Sequence, residues 1–247
     1  REHDADKPLD VFLLEEPEHH LSHTNMQRLV HRISESHAKQ IFVATHNSLI
    51  STRLNLRNSI LLNSSSPEPL TMRDLPEDTA KFFMKAPDNN VLEFILSAKV
   101  ILVEGDAEYI LLDSFYSLVT GSSLEADDIH VISVGGTSFK RYLDIAKVLG
   151  IRTAVIRDND GDYQTNCIDS YLGYVADNIG VFYDAVNTSS TFEICLYDLN
   201  REVCDELWLA DRKTLSVQEY MLKNKDDCAF ELLDKKADQI RIPDYIE

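Results

Sequence analysis

An α/β fold built on a parallel sheet is what this chain predicts, and three observations lead there. From residue 99 onward, short apolar runs alternate regularly with helical stretches. Two of those runs end in acids next to glycine, Val100-Ile-Leu-Val-Glu-Gly-Asp-Ala-Glu108 and Val155-Ile-Arg-Asp-Asn-Asp-Gly-Asp162. Between them lies enough chain for strand, crossover helix and strand, the unit from which parallel sheets are made.

Taken in order, Val11-Phe-Leu-Leu14 reads as a short buried strand ended by Glu15-Glu16-Pro17. Met26, Leu29, Val30 and Ile33 recur at helical spacing, so residues 23–37 predict an amphipathic helix. Ile41-Phe-Val-Ala44 is the next strand, closed by Thr45-His46-Asn47-Ser48, and completes a right-handed βαβ unit. Ser59–Asn63 predicts another strand, Ser64–Pro67 a turn, and Pro69–Met72 a strand pairing back as a hairpin. Residues 74–98 are mixed, with Pro76 and Pro87 as breakers and a helix around Asn90–Leu96 leading to a boundary near 97. Beyond it come a strand at 99–103, a helix at 107–119, a strand at 129–134, a helix at 137–149 and a strand at 152–157. Gly180–Tyr183 predicts a further strand, and residues 200–237 are largely helical. The expected domains are 1–96 and 97–247.

Composition narrows the function. With 42 acidic against 24 basic residues the net charge is −18, which excludes a protein that coats nucleic acid through bulk positive charge. It does not exclude an enzyme in which bound cations reverse the local field. Lys140-Arg141, Lys223-Asn-Lys225 and Lys235-Lys236 are the candidate phosphate-holding groups; each basic pair alone reads more simply as a solvated helix face. Cys167, Cys195, Cys204 and Cys228 show neither CxxC nor zinc spacing and predict reduced thiols. There is no signal peptide and no membrane-spanning stretch, so a cytoplasmic protein is expected. A first residue of Arg1 gives the expectation of a fragment of a longer chain.

The chemistry sits at strand ends. Side chains at the C-terminal ends of parallel strands face one crevice, which brings Glu104, Asp158 and Asp160 together. Gathered carboxylates repel unless a cation lies among them, and hard oxygen ligands select Mg²⁺ or Mn²⁺. Such a site suits phosphoryl-transfer chemistry.

Val103-Glu104-Gly105, Val134-Gly-Gly136 with its following helix, and Asp158-Asn-Asp160 together resemble a Toprim domain. In the first half, Val11-Phe-Leu-Leu-Glu-Glu-Pro-Glu-His-His-Leu-Ser22 resembles the Walker B strand of an ABC-type ATPase. Ile41-Phe-Val-Ala-Thr-His46 resembles its switch-histidine strand. That resemblance assigns Glu15 to Mg²⁺, Glu16 to polarising water and His46 to the γ-phosphate of ATP. The family usually has Asp at the first place, so Glu15 is a departure. No G-x-x-x-x-G-K-[ST] occurs, the first glycine being Gly105. The expectation is therefore the C-terminal part of an ATPase domain, its phosphate loop lying upstream.

An ABC-type half joined to a Toprim domain resembles the OLD (overcoming lysogenization defect) nucleases, whose relatives include Gabija-type phage-defence effectors. In that family the acidic motif extends to E-G-x-x-E, here Glu104 and Glu108. A T-x-E element, Thr191-Phe-Glu193, adds Glu193 as a metal ligand. A K-x-x-x-A helix, Lys225–Ala229, supplies Lys225 to offset charge on the cleaved phosphate. Lys223 competes for that role. Asp162 is an outer acid or a turn residue, and Ser133 with Gly135-Gly136 shapes the backbone near the phosphate. The resemblance implies a two-ion DNA endonuclease gated by ATP in anti-phage defence. It also implies a homo-oligomer formed through ATPase heads, and a helicase or reverse-transcriptase partner. Two other classes stay open: a primase- or topoisomerase-type Toprim enzyme, and a non-catalytic nucleotide-sensing module. None of the ten tyrosines has a setting that fits a topoisomerase nucleophile.

Overall fold

The computed structural model describes residues 11–35, 40–62, 69–85, 90–135, 138–211 and 213–247. The chain divides into two compact units, Arg1–Ile95 and Leu96–Glu247.

In the first unit, β1 (Val11–Glu15) lies parallel to β2 (Gln40–Ala44), in register from Val11↔Gln40 to Glu15↔Ala44. Between them runs α1 (His23–Ser34), capped by the Ser22 hydroxyl, which accepts from the Asn25 N–H. Met26 and Val30 of α1 pack with Ile50 of α2 (Ser48–Arg53), and Val43 of β2 joins them. The predicted burial of β1 is corrected: Leu13 is 78% exposed, and Val11, Phe12 and Phe42 are exposed as well. A two-stranded sheet alternates its side chains between two faces. The described helices place a core against Val43, while Leu13 and Phe42 have no comparable cover among the described residues. The predicted strand 59–63 shortens to β3 (Ile60–Leu61), which pairs antiparallel with β4 (Leu70–Thr71); Asn63 and the predicted turn fall outside the described residues. Pro76 opens a helix instead of breaking one. Its carbonyl accepts the Ala80 N–H at the start of α3 (Glu77–Lys85), as suits a residue lacking its own N–H. α4 (Asn90–Leu96) follows.

The second unit holds four parallel strands in the order β6-β5-β7-β8. They are β5 (Lys99–Val103), β6 (Ile129–Ser133), β7 (Arg152–Ile156) and β8 (Ile179–Phe182). α5 (Asp106–Thr120) joins β5 to β6, and α6 (Phe139–Leu149) joins β6 to β7. These crossovers step in opposite directions along the sheet. Right-handed connections therefore put α5 and α6 on opposite faces, as the alternating pattern predicts. Both helices stop at a left-handed glycine, Gly121 (φ 74°) and Gly150 (φ 70°), the usual way to end a helix sharply.

Val103 and Ile156 pack with Leu112 of α5, and Tyr245 and Ile246 of the C-terminal tail close the same cluster. The other side of α5 supplies Ala107, Leu111 and Phe115 to a second core. Phe192 and Leu196 of α7 (Phe192–Leu199), Trp208 of α8 (Arg201–Trp208), and Val217 and Met221 of α9 (Val217–Lys223) complete it with Ala229 and Leu232 of α10 (Lys225–Lys236). α5 is thus buried between the sheet and a helical layer. No helix is long and apolar enough to cross a membrane among the described residues.

Candidate active site

The β5 end supplies Glu104, then Gly105 as the residue before α5. A Cβ on Gly105 would stand 3.2 Å from Glu108 Oε2, so glycine lets the Glu108 carboxylate fold back over the helix start. Glu108 is only 5% exposed, in the first turn of α5, where the helix dipole favours an acid.

The β7 end supplies Arg157-Asp158-Asn159-Asp160. Asn159 is buried, and its Nδ2 donates to the carbonyls of Asp184, Val186 and Ser189. The Asp160 N–H donates to Ser190 O. These bonds tie the two-acid loop to the segment that leads into α7. Asp160 itself takes a left-handed φ of 50°, uncommon outside glycine, ahead of Gly161 at 86°. Asp158 Oδ1 accepts the Phe192 N–H at 2.8 Å, which brings the start of α7 to the β7 end. The T-x-E element follows there, with Glu193 3% exposed. From α10, Lys225 reaches in and pairs with Glu193, its Nζ 2.9 Å from Glu193 Oε2. Ala229 lies one helical turn further on and is buried, so small size at that position lets α10 approach.

Electrostatics couple these groups. Burial first, then Glu108, Glu104 and Glu193, push the Asp158 carboxyl up to about 8, against the Phe192 N–H. Burial first, then Glu193 and Glu104, push Glu108 up to about 7, with Lys225 opposing. Lys225 is pulled down by burial, but the neighbouring carboxylates outweigh that and hold it above its usual range. Beside them the buried Thr191 hydroxyl has no hydrogen-bond partner.

The structure sorts the predicted residues into two sets. The buried Glu108 and Glu193 and the half-buried Asp158 form one cluster, and Lys225 reaches it from the surface. Glu104 and Asp160 are both engaged by Arg157, whose guanidinium donates to Glu104 Oε2 and, at 2.6 Å, to Asp160 Oδ2. Arg157 is 12% exposed, and with Asn159 it escaped the sequence reading. The visible signal was an arginine inside an acidic strand-end motif. The acids are not drawn to ligand spacing. Among the described residues, the trio of potential metal ligands within 4.8 Å of one another is Glu16, His19 and His46. Asp162 proves a turn residue: it accepts from the Thr165 N–H and hydroxyl. Lys223 is exposed at the end of α9, while Lys225 pairs with Glu193. Lys236 pairs with Glu206 at 2.7 Å and Lys235 with Glu231, so both lysines are engaged by acids of the helical layer. Gly135 has φ 61°, and Gly136 falls outside the described residues. All four cysteines are buried thiols outside any disulfide.

In the first unit, Glu16 and His46 follow adjacent parallel strands, with His46 Nδ1 3.4 Å from Glu16 Oε1. Glu15 is exposed.

The family described as Overcoming lysogenization defect protein-like, TOPRIM domain, matches residues 95–160, a segment that holds Glu104, Glu108, Asp158 and Asp160. Endonuclease GajA of Bacillus cereus (strain VD045) is 28% identical over 153 residues, which cover 61% of this chain and 26% of that protein. The chain thus spans about a quarter of that relative's length. Solved structures include the C-terminal region of the Burkholderia pseudomallei OLD protein, at 19% identity and a TM-score of 0.42, covering 61% of this chain and 93% of that one. The C-terminal region of the Xanthomonas campestris pv. campestris OLD protein, phased with iodine, shows 22% identity and a TM-score of 0.38, covering 61% and 90%.

Proposed function

Since residues 95–160 are a Toprim domain of the OLD-like family, we propose that this chain acts as a divalent-metal-dependent DNA endonuclease. The observation that carries this reading is the cluster of Glu108, Asp158 and Glu193, three acids faced by the single Lys225, with burial and mutual repulsion pushing Asp158 up to about 8 and Glu108 up to about 7. Burying several acids together is costly, and a hard cation is the group that offsets it. The donor set fits: all ligand atoms are oxygen, as Mg²⁺ and Mn²⁺ prefer. Glu108, Asp158 and Glu193 would hold the metal, two ions being accommodated once Glu104 and Asp160 leave Arg157. When bound, such ions polarise the phosphodiester and acidify water, which is the chemistry hydrolysis needs.

The protein's own groups do the rest. Asp158 and Glu108 give up protons on binding, so affinity rises with pH toward about 8. Asn159 and the Phe192 N–H hold Asp158 in place. Lys225 and Arg157 place positive charge where the phosphate oxygens gather charge in the transition state. The first unit supports an ATPase reading through Glu16 and His46, which lie together at the ends of parallel strands. On that reading, Glu15, Glu16 and His46 serve ATP in an oligomer of ATPase heads that gates DNA entry. The setting would be cytoplasmic defence against phage, alongside a helicase or reverse-transcriptase partner.

The test is cleavage of supercoiled plasmid with Mg²⁺ or Mn²⁺, beside Asp158→Ala. Nicking or linearisation that disappears in the variant and under chelation is the expected result. A variant that cuts as well as the parent protein would sink the assignment. Intact phage resistance in Glu104→Ala cells would point to the non-catalytic module instead.

A further inference from the structure

The crevice at the strand ends of the second unit has two rims. α5 and α6 lie on opposite faces of the sheet, and Lys225 enters from the α5 side, on α10. The α6 side carries a cation of its own. Lys140 is the second residue of α6, the helix that follows β6, so it stands at the same end of the sheet as Glu104 and Arg157.

Lys140 is held in place without being neutralised. Its Nζ stands 5.3 Å from the centroid of the Tyr171 ring, a cation–π contact that positions the ammonium and leaves its charge intact. Tyr171 is a firm base, only 4% exposed. Burial pushes its hydroxyl up, and Arg157 opposes that by charge and hydrogen bond, so the ring and the guanidinium are neighbours. Arg157 in turn reaches Glu104 and Asp160. A continuous line of contacts therefore runs from the acids at the β5 and β7 ends, through Arg157 and Tyr171, to Lys140. Lys147, two turns further along α6, differs. It too lies over a ring, that of Tyr174 at 4.5 Å, but its ammonium donates to the Gly173 carbonyl. That lysine fastens residues 171–174 to the helix. Lys140 has no carbonyl or carboxylate partner among the described residues. A cation in the first turn of a helix also opposes the helix dipole, so the fold gains little from this charge.

We propose that Lys140, seated on Tyr171, binds a backbone phosphate of DNA on the α6 rim, next to the phosphate that is cut, while Lys225 serves the cut phosphate from the other rim. This rests on the nuclease reading and adds to it a second point of contact with the substrate. In a chain of net charge −18, a strand lying across an acidic crevice needs local positive charge on both sides of it. Such contacts to phosphate fix where the substrate lies and carry no sequence preference.

The test is binding and cutting by the full chain, beside Lys140→Ala, Lys140→Arg, Tyr171→Phe and Lys235→Ala. Binding of a fluorescein-labelled DNA duplex is followed by anisotropy with Ca²⁺ over a range of NaCl, and cutting on plasmid with Mg²⁺. Lys140→Ala is expected to flatten the plot of log affinity against log salt by about 1 in slope, the share of one phosphate contact, and to raise KM at least about threefold with kcat kept. Lys140→Arg should restore both, since it keeps the charge and stacks on aromatic faces. Tyr171→Phe keeps the ring and should keep the parent's salt slope. Lys235→Ala removes a lysine already engaged by Glu231 and should match the parent throughout. An unchanged slope and KM in Lys140→Ala, beside a parent that binds and cuts, would overturn this proposal and leave the nuclease reading standing. A fall in kcat alone would also overturn it, by showing that Lys140 acts on the shape of the site and not on the substrate. A parent that binds no DNA would overturn both.

Discussion

Asp158 and Glu108 carry the pH behaviour of the metal-free protein. Their ordinary values are 3.8 and 4.5, and in the fold they rise to about 8 and about 7. The folded chain therefore keeps protons that the unfolded chain has lost. Their contribution to stability is full below pH about 4 and falls as pH climbs through 7 and 8. Asp158→Asn keeps an oxygen for the Phe192 N–H but removes this penalty. It should stabilise the metal-free chain at pH 8 by at least about 1.4 kcal/mol, the equivalent of one pKa unit, and leave stability at pH 4 unchanged. Thermal melts in chelator at the two pH values check it; a gain equal at both would contradict the assignment. Arg157 has the opposite role, neutralising Glu104 and Asp160 from a position 12% exposed. Arg157→Gln leaves both acids unpaired and should cost about 3 kcal/mol in urea titrations with chelator. Mg²⁺ should narrow that gap, since the ion takes over the neutralisation. A loss below about 0.5 kcal/mol would mark the pair as an ordinary surface bridge.

Two helix starts in the second unit make different use of a hydroxyl. Ser216 precedes α9 with a full capping box: it accepts the Glu219 N–H, and the Glu219 carboxylate accepts the Ser216 N–H. Ser216→Ala should cost about 1 kcal/mol. Thr191 precedes α7 with no side-chain cap bond, and its hydroxyl is buried without a partner. Thr191→Val should therefore be neutral or stabilising by up to about 1 kcal/mol, because it removes an unmatched polar atom. Paired denaturation curves test the contrast, and a cost for Thr191→Val as large as for Ser216→Ala would show that the hydroxyl is bonded after all. The reason for keeping threonine there is then the site beside it and not the helix. Lys225 is placed by similar logic. A lysine opening a helix opposes the dipole, and proximity to Glu193 outweighs this.

Over the whole molecule, the partition into Arg1–Ile95 and Leu96–Glu247 predicts that the second unit folds by itself. Its cores draw on α5 and α7–α10 and on the sheet with the C-terminal tail, all of them inside that unit. Residues 96–247 expressed alone should melt in one cooperative transition and bind Mn²⁺ like the parent chain. A broad, non-cooperative melt would show that the unit leans on the first. The first unit leaves Leu13 and Phe42 exposed on its two-stranded sheet.

By itself the sequence determined the parallel sheet and the positions of its strands. An apolar run of strand length, closed by an acid and glycine, has few alternatives once helical periodicity separates it from the next. It also determined which acids stand at strand ends, because strand ends are where apolar runs stop. What only the tertiary structure decided was how those acids divide. Arg157 takes Glu104 and Asp160, while Glu108, Asp158 and Glu193 gather around Lys225. That division rests on contacts between residues far apart in the chain, such as Asn159 with Ser189 and Asp158 with Phe192. The exposure of β1 belongs to the same class. Local pattern states that Val11–Leu14 is apolar, but burial depends on what packs against it, and period and propensity do not encode that.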